Sequence, residues 1–486
     1  MRYHLFVLVH GLWGNKSHFD YIAQELEKHR SQCDQEIVIY KAENNEGYRT
    51  LDGIDVCGLR IVREIHGKIA ALKETGDVVK ISIVGYSLGG LISRYVIGIL
   101  YHQGLFKEIE PVNFTTFCTP HVGAMAPGSN ISVRAFNWLV PNLLSLSGRQ
   151  MFLKDNTGKE GPLLELMANK NSVFYRALQQ FKTRILYANA INDKRTAWWT
   201  SGISIVDPFI NIDESSSLSD LDYKYVESFA PVVLDAHADF KISNRPVSSQ
   251  TVPEQPSNYW SRKYRWLVVA LNLTFVMPLW VLWFIISGVM ESLKSSVRIR
   301  RVMRENNAYF MDLTNLLEPD TDEATNDGSD IESIADKLDH DMEDAIHDRV
   351  DTLIESVWDA MTSKDEEQTA QLSKFHIMQS TEPYSSSTTS KNEQNYVSVS
   401  ISDLSYFSKD SPMARNQIVK LYTLELSPSQ VEIVKNLNAL DWNKFPILIR
   451  HTTSTHSAAI VRNINDPQLR EGKVVVKHWL ENAVQL

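Results

Sequence analysis

The sequence predicts an α/β chain built on a mostly parallel, doubly wound sheet. Three observations carry this. Short apolar runs alternate with helical patterns through the first 200 residues. One of those runs, Val78–Val84, passes through Gly85-Tyr86-Ser87-Leu88-Gly89 directly into a helical pattern. And 486 residues, 43% of them hydrophobic, suffice for one large core carrying insertions.

The elements follow in order. Tyr3–Val9 reads as a buried strand; it is too short for a signal peptide and has no basic lead. Ser17–His29 reads as a helix, Ile37–Tyr40 as a strand and Asp55–Glu74 as a helix. Val78–Val84 is followed by a helix from Ser87 to about Tyr101, and Asn113–Cys118 and Thr183–Ala188 are further strands. Between them, Pro127–Asp155 breaks the rhythm with Phe136, Trp138, Leu139, Val140, Leu143, Leu144 and Leu146. It reads either as a buried helix or as a lid over an apolar cleft. Near the C-terminus, Val431–Leu440 reads as a helix, Phe445–Arg450 and Ser457–Arg462 as strands, and Val474–Val484 as a terminal helix.

Between these parts the composition changes. Val247–Ser257 is rich in proline and serine and reads as a linker. Trp266–Met290 then runs 25 residues without a charge, with Arg262, Lys263 and Arg265 before it and Lys294, Arg298, Arg300 and Arg301 after it. That exceeds the ~20 residues a membrane helix needs. From Ile331 to Met361, apolar residues recur at spacings of three and four on an acidic background, the pattern of an amphipathic helix that could bind a protein partner. Ser380–Ser390 is a low-complexity stretch. The expected divisions are therefore 1–246 for the first part of the core, 247–261 for a linker and 262–301 for a membrane-anchoring segment. An acidic, partly disordered insertion fills 302–409, and the core resumes over 410–486.

Charge and cysteines exclude several classes. Glu318–Glu367 holds 19 acidic residues against three basic ones, a net of −16 that leaves the remainder at +6 of the chain's −10. The global acidity therefore says little about partners, while a mildly basic remainder suits an anionic membrane surface. No nucleic-acid motif is present. Cys33, Cys57 and Cys118 are odd in number and form no CxxC pair, which indicates neither a disulfide framework nor a zinc site. A reducing, cytosol-facing compartment is expected.

Serine is a poor nucleophile unless it is held beside a base. A Gly-x-Ser-x-Gly between a strand and a helix is the nucleophile elbow of α/β-hydrolases, and it assigns Ser87 as the nucleophile. His10-Gly11-Leu12-Trp13-Gly14, at the end of the first strand, is the kind of loop that lends a backbone N–H to an oxyanion hole; Leu12 and Leu88 are the candidate donors. The acid should follow a later strand, before the histidine. Asp193 after Thr183–Ala188 is the choice, with Asp207 and Asp213 as alternatives. His456 is the expected base, with His451 and His237 as alternatives. This chemistry needs no cofactor and no metal.

The loops His10–Gly14, Gly85–Gly90, Thr119-Pro120-His121 and Ser147–Asp155 resemble the fungal serine esterase (lipase-like) family. The likeness covers residues 3 to about 215 and, more weakly, about 430 to 486. It implies an α/β-hydrolase fold and acyl-lipid substrates, glycerophospholipid or else monoacylglycerol. It carries nucleophile, acid and base to Ser87, Asp193 and His456. The resemblance, which extends to overall length and the apolar segment, further implies residence at a lipid droplet or endoplasmic reticulum membrane, with the catalytic part facing the cytosol. A catalytically weak scaffold of the same fold is the reading from another class. Because Ser87 and Asp193 precede Trp266–Met290 while His456 follows it, the segment is expected to enter the lipid as a hairpin about Pro278, both ends on one face.

Overall fold

The computed structural model describes residues 1–29, 35–128, 130–157, 161–193, 195–209, 223–243, 290, 293–300, 396–407 and 416–486. The linker 247–261, the acidic helix at 331–361, Cys33, Asp213 and all of Trp266–Met290 except Met290 lie outside these residues. Among the described residues, no helix is long and apolar enough to cross a membrane.

Six parallel strands form the sheet: β1 (Arg2–Val9), β2 (Glu36–Lys41), β3 (Asp77–Tyr86), β4 (Glu110–Phe117), β5 (Thr183–Asn189) and β8 (Asn443–Ile447). Their order across the sheet is β2-β1-β3-β4-β5-β8. A parallel sheet needs crossovers, and these place helices on both faces, so its strands are apolar on both sides. β1 shows this residue by residue. Leu5, Val7 and Val9 join the core cluster that also takes α2 (Ile54–Leu72) and α3 (Leu88–His102). Phe6 and Leu8 join the opposite cluster, which includes α1 (Asp20–Lys28) and Trp479. The expected α/β-hydrolase architecture is thus the observed one.

The chain runs from β1 out to β2 at one edge and then returns to the other side of β1 as β3. The loops leaving β1 and β3 diverge there, at the switch point where α/β sheets place their sites. Val9 pairs with Gly85, so the His10–Gly14 loop and the Ser87 turn emerge side by side. Their approach is very close. A Cβ on Gly89 would meet the carbonyl oxygens of Val9 and His10, and one on Gly90 would meet the Thr119 side chain. Only glycine fits at either position.

Two helices, α4 (Ile131–Leu143) and α5 (Ser145–Met151), occupy the segment expected as a buried helix or lid. They form a roof. Phe136, Val140, Leu144 and Met151 face a pocket, while Ile131 and Trp138 stand out into solvent. Further on come α6 (Leu163–Ala168), α7 (Val173–Gln180) and α8 (Trp198–Ser201).

Two expectations change. Ser457–Arg462 is not a strand: Thr455–Ala458 is a short helix followed by turns. The run is apolar because residues 455–461 are all buried, which periodicity cannot tell from a buried strand. The core also resumes before residue 410. β6 (Asp239–Ser243) pairs antiparallel with β7 (Tyr396–Ser400), Ser243 opposite Tyr396, and a helix Ile401–Ser405 follows. The serine-rich composition upstream of Tyr396 concealed this strand.

Candidate active site

Ser87 sits between β3 and α3 with φ 54° and ψ −128°, a left-handed conformation that a side chain adopts only at a cost. Its N–H donates to the Phe117 carbonyl at 2.9 Å, and its own carbonyl accepts from Gly90 N at 3.0 Å. These bonds hold the strained turn in place. Leu88 then opens α3, whose first N–H groups have no partner within the helix.

Asp193 follows β5 and is buried. Its Oδ2 lies 2.9 Å from His456 Nδ1. The remaining acceptor capacity is filled by donors. Asn189 Nδ2 donates to Oδ2 at 2.9 Å and Thr196 Oγ1 at 3.0 Å; the N–H groups of Arg195 and Thr196 donate to Oδ1 at 3.1 and 2.9 Å. Burial pushes this carboxyl up. The charge and hydrogen bond of His456, with the Asn189 and Thr196 donors, more than offset that and hold it at about 2. Asp193 is therefore ionised at neutral pH despite its burial.

His456 is buried on the short helix Thr455–Ala458. Tyr86 donates its hydroxyl to the His456 carbonyl at 3.2 Å, and the two rings lie 5.0 Å apart. Thr455 Oγ1 donates to the Asn192 carbonyl at 2.9 Å, which ties the histidine turn to the Asp193 loop. The structure brings together residues more than 260 positions apart in the chain. It does not bring in the alternatives. His451 pairs with Glu471 at 2.7 Å and is half exposed. His237 is exposed on a turn capped by Asp235. Asp207 is buried and accepts from Phe209 N at 3.0 Å, away from the pocket that Ser87 and His456 share.

That pocket has a volume of about 150 Å³. Leu12, Ser87, Leu88 and His456 line it, and Phe136, Val140, Leu144, Met151, Phe152 and Trp199 make most of its wall apolar. Arg195 and Arg462 add two cations. The Thr119-Pro120-His121 loop lends Pro120 to the pocket wall, while His121 serves packing: its Nε2 meets Thr116 Oγ1 at 2.9 Å, and its ring packs edge-on against Trp442.

Cys118 Sγ, an Asp193 oxygen and a His456 nitrogen all lie within 4.8 Å of one another, donor types that could take a soft divalent ion. The chemistry does not favour it. Burial pushes the Cys118 thiol well up, so it is protonated, and both Asp193 oxygens already accept from the groups named above. Asn189, Thr196 and Cys118 are the surroundings that sequence reasoning missed. Only Asp193-x-x-Thr196 carried a signal, as an aspartate that accepts from the N–H groups two and three residues on.

Asp207 gives a separate expectation. Burial raises its carboxyl from 3.8 to about 7, with the Phe209 N–H pulling slightly the other way. A carboxyl raised in the folded state favours folding at low pH, and the advantage is lost as pH rises through the folded value. Relative to Asp207→Asn, the wild type should therefore lose thermal stability between pH 4 and 7, with a flat difference above. Melting curves of both proteins across that range are the check; a constant difference would contradict it.

Comparison with known proteins agrees with the sheet and the elbow. Residues 1–204 match the family model described as "Putative serine esterase (DUF676)". Relatives from Saccharomyces cerevisiae include "Putative lipase ROG1", 30% identical over 207 residues, and "Putative lipase YDL109C", 28% identical over 207 residues. "Putative lipase C4A8.10" from Schizosaccharomyces pombe is 28% identical over 211 residues. Each match covers 42% of this chain and 31% or less of the relative, so the chain spans less than a third of their length. Among solved structures, the phospholipase PlaB from Legionella pneumophila aligns with 14% identity and a TM-score of 0.28 over 39% of this chain and 38% of its own. A lipase-esterase related protein from Clostridium acetobutylicum aligns with 15% identity and a TM-score of 0.20 over 33% and 57%. At these scores the structural likenesses add nothing to the strand order described above. In its elbow, its sheet and its match, the part of the chain formed by residues 1–204 is similar to the serine esterase family.

Proposed function

We propose that the protein is a serine-dependent lipid acyl hydrolase, a phospholipase that works at a lipid surface. The observation that carries this is the His456–Asp193 pair at 2.9 Å, with His456 and Ser87 opening onto one apolar pocket. Asp193 accepts the Nδ1 proton and so leaves Nε2 as the base. His456 takes the Ser87 proton as Oγ attacks the acyl carbonyl. The Leu12 and Leu88 N–H groups meet the oxyanion, and His456 then protonates the leaving alcohol. Water, activated in turn by His456, releases the fatty acid from the acyl-enzyme.

The apolar wall suits an acyl chain. Arg195 and Arg462 line the same pocket and suit a phosphodiester, which supports a glycerophospholipid reading over monoacylglycerol. The topology supports a lipid-surface site. β6 ends at Ser243 on the body, and Arg298 of the helical stretch 293–300 bonds to Asp52 of the same body. The chain is thus attached to the same body before and after the apolar run Trp266–Met290, which suits a hairpin in a monolayer or a single leaflet. A lipid droplet or the endoplasmic reticulum, with the body in the cytosol, fits this arrangement. The acidic composition of 331–361 suits a protein partner.

The test is fatty-acid release by the purified full chain, beside Ser87→Ala, from phosphatidylcholine vesicles and from monoolein dispersions. Faster Ser87-dependent release from phosphatidylcholine is expected. Faster release from monoolein would make the enzyme a monoacylglycerol lipase, and release from neither would overturn the hydrolase reading.

A further inference from the structure

Asp52 has a fully buried carboxylate at the end of the turn Gly47–Asp52. Arg60 of α2 reaches Oδ2 at 2.7 Å. The other partners come from nearly 250 residues away. Arg298 donates from Nη2 to Oδ1 at 2.9 Å, and from Nε to both oxygens at 3.1 Å. Ser295, itself fully buried, donates its hydroxyl to Oδ1 at 2.7 Å. Arg298 also reaches the Tyr48 carbonyl at 3.5 Å. A forked guanidinium on a buried carboxylate fixes direction as well as distance.

The helical stretch 293–300 is therefore seated on the body through Ser295 and Arg298, which are three residues apart and share one helix face. At 3.6 residues per turn, Leu293 and Val297 fall on the opposite face. They are 65% and 68% exposed, and Met290, three residues before Leu293, is 55% exposed. Seating the helix aims an apolar stripe away from the body. Lys294 and Arg300 flank that stripe. The chain just before it is the uncharged run that ends at Met290. Apolar residues edged by cations, continuous with such a run, match a helix lying at a lipid surface.

The socket also adjoins the active site. Two residues before Asp52, Thr50 accepts the Trp13 N–H on Oγ1 at 2.9 Å, and its carbonyl accepts the Ser147 hydroxyl at 2.5 Å. Trp13 belongs to the loop beside Ser87, and Ser147 lies on α5 of the roof. One turn thus joins the seated helix, the oxyanion loop and the pocket roof.

We propose that Asp52 is a docking socket that holds residues 293–300 with their outer face, Met290, Leu293 and Val297, in the lipid surface. It thereby sets how the pocket meets that surface. This rests on the lipid-surface reading above, and it makes Arg298 a positioning residue.

The test uses the full chain bound to vesicles of phosphatidylcholine with one-fifth phosphatidylserine. An environment-sensitive fluorophore on Val297→Cys, with Cys33, Cys57 and Cys118 changed to serine or alanine, reports contact with lipid. Its emission should shift to the blue on binding and be quenched by shallow nitroxide lipids. Adding Arg298→Ala should return the emission toward its value in water while the protein stays bound. In the background with native cysteines, Arg298→Ala should slow release of fatty acid from the same vesicles by about tenfold. It should leave hydrolysis of the soluble ester p-nitrophenyl butyrate unchanged, because Ser87 and its partners are untouched. Arg298→Lys should recover only part of the vesicle activity, since an ammonium lacks the fork. A fluorophore that remains in water on bound wild-type chain, or lipid contact unaffected by Arg298→Ala, overturns the socket. The fluorescence arm needs no turnover, so it separates failure of the socket from failure of the hydrolase reading.

Discussion

Ser87→Ala should remove ester hydrolysis to the limit of detection, a fall of about 10⁵-fold or more in kcat. It should also abolish labelling by a fluorophosphonate probe. The change deletes a single oxygen at a half-buried position, and both backbone bonds of the turn, to Phe117 and from Gly90, survive it. The melting temperature should therefore hold, because alanine keeps the same turn and its backbone bonds. Hydrolysis persisting in the purified variant would mean that another group is the nucleophile.

Asp193→Asn should cost about 10⁴-fold in kcat, with little change in KM for a short soluble ester. The reason lies in the donors. Five hydrogen-bond donors converge on the two Asp193 oxygens: His456 Nδ1–H, Asn189, Thr196 Oγ1, and the Arg195 and Thr196 N–H groups. An amide offers one oxygen in place of two and turns an NH2 group toward some of those donors. His456 Nδ1 would then accept rather than donate, and the proton would move to Nε2, the nitrogen meant to receive the serine proton. Fluorophosphonate labelling should slow without vanishing, since Ser87 and the oxyanion donors stay in place. Activity within tenfold of wild type would place the acid elsewhere. Asp207 is the wrong place to look, because its carboxyl is buried away from His456 and carries a proton up to near neutrality.

Much of the body was legible because its signals are local. A buried parallel strand is a continuous apolar run, and β1, β2, β3, β4 and β5 each announced themselves so. The Ser87 elbow was legible because its glycines answer to contacts with the neighbouring backbone. The likeness to the serine esterase family followed from the same loops. Other parts were hidden for physical reasons. The helix Pro428–Leu437 begins earlier than its apolar pattern because Ser427 and Gln430 cap it reciprocally and proline takes the first position. The turn around His456 looked like a strand because total burial erases periodicity. The strand β7 was concealed because its partner, β6, lies more than 150 residues before it. Cys118 approaches Asp193 only once β4 and β5 are paired, and no spacing in the chain encodes that. The Arg298–Asp52 clasp was equally silent: Arg298 read as one of several basic residues beside an apolar run.

The pairing of Ser243 with Tyr396 has a bearing on how such a chain tolerates change. The two ends of everything between them meet as neighbours on a two-stranded ladder, a few ångströms apart. For the folding of the body, that whole excursion is one loop whose ends are already closed. Loop closure grows only with the logarithm of length, about 0.6 kcal/mol for each doubling. Residues can be gained or lost there at almost no cost to the sheet, the elbow or the His456 turn. The clasp at Asp52 divides the loop once more and isolates the apolar run in its own smaller ring. Lengthening or shortening the acidic stretch beyond residue 300 then changes neither where that run starts nor where it returns. For the body, the excursion is interchangeable cargo on a fixed mount.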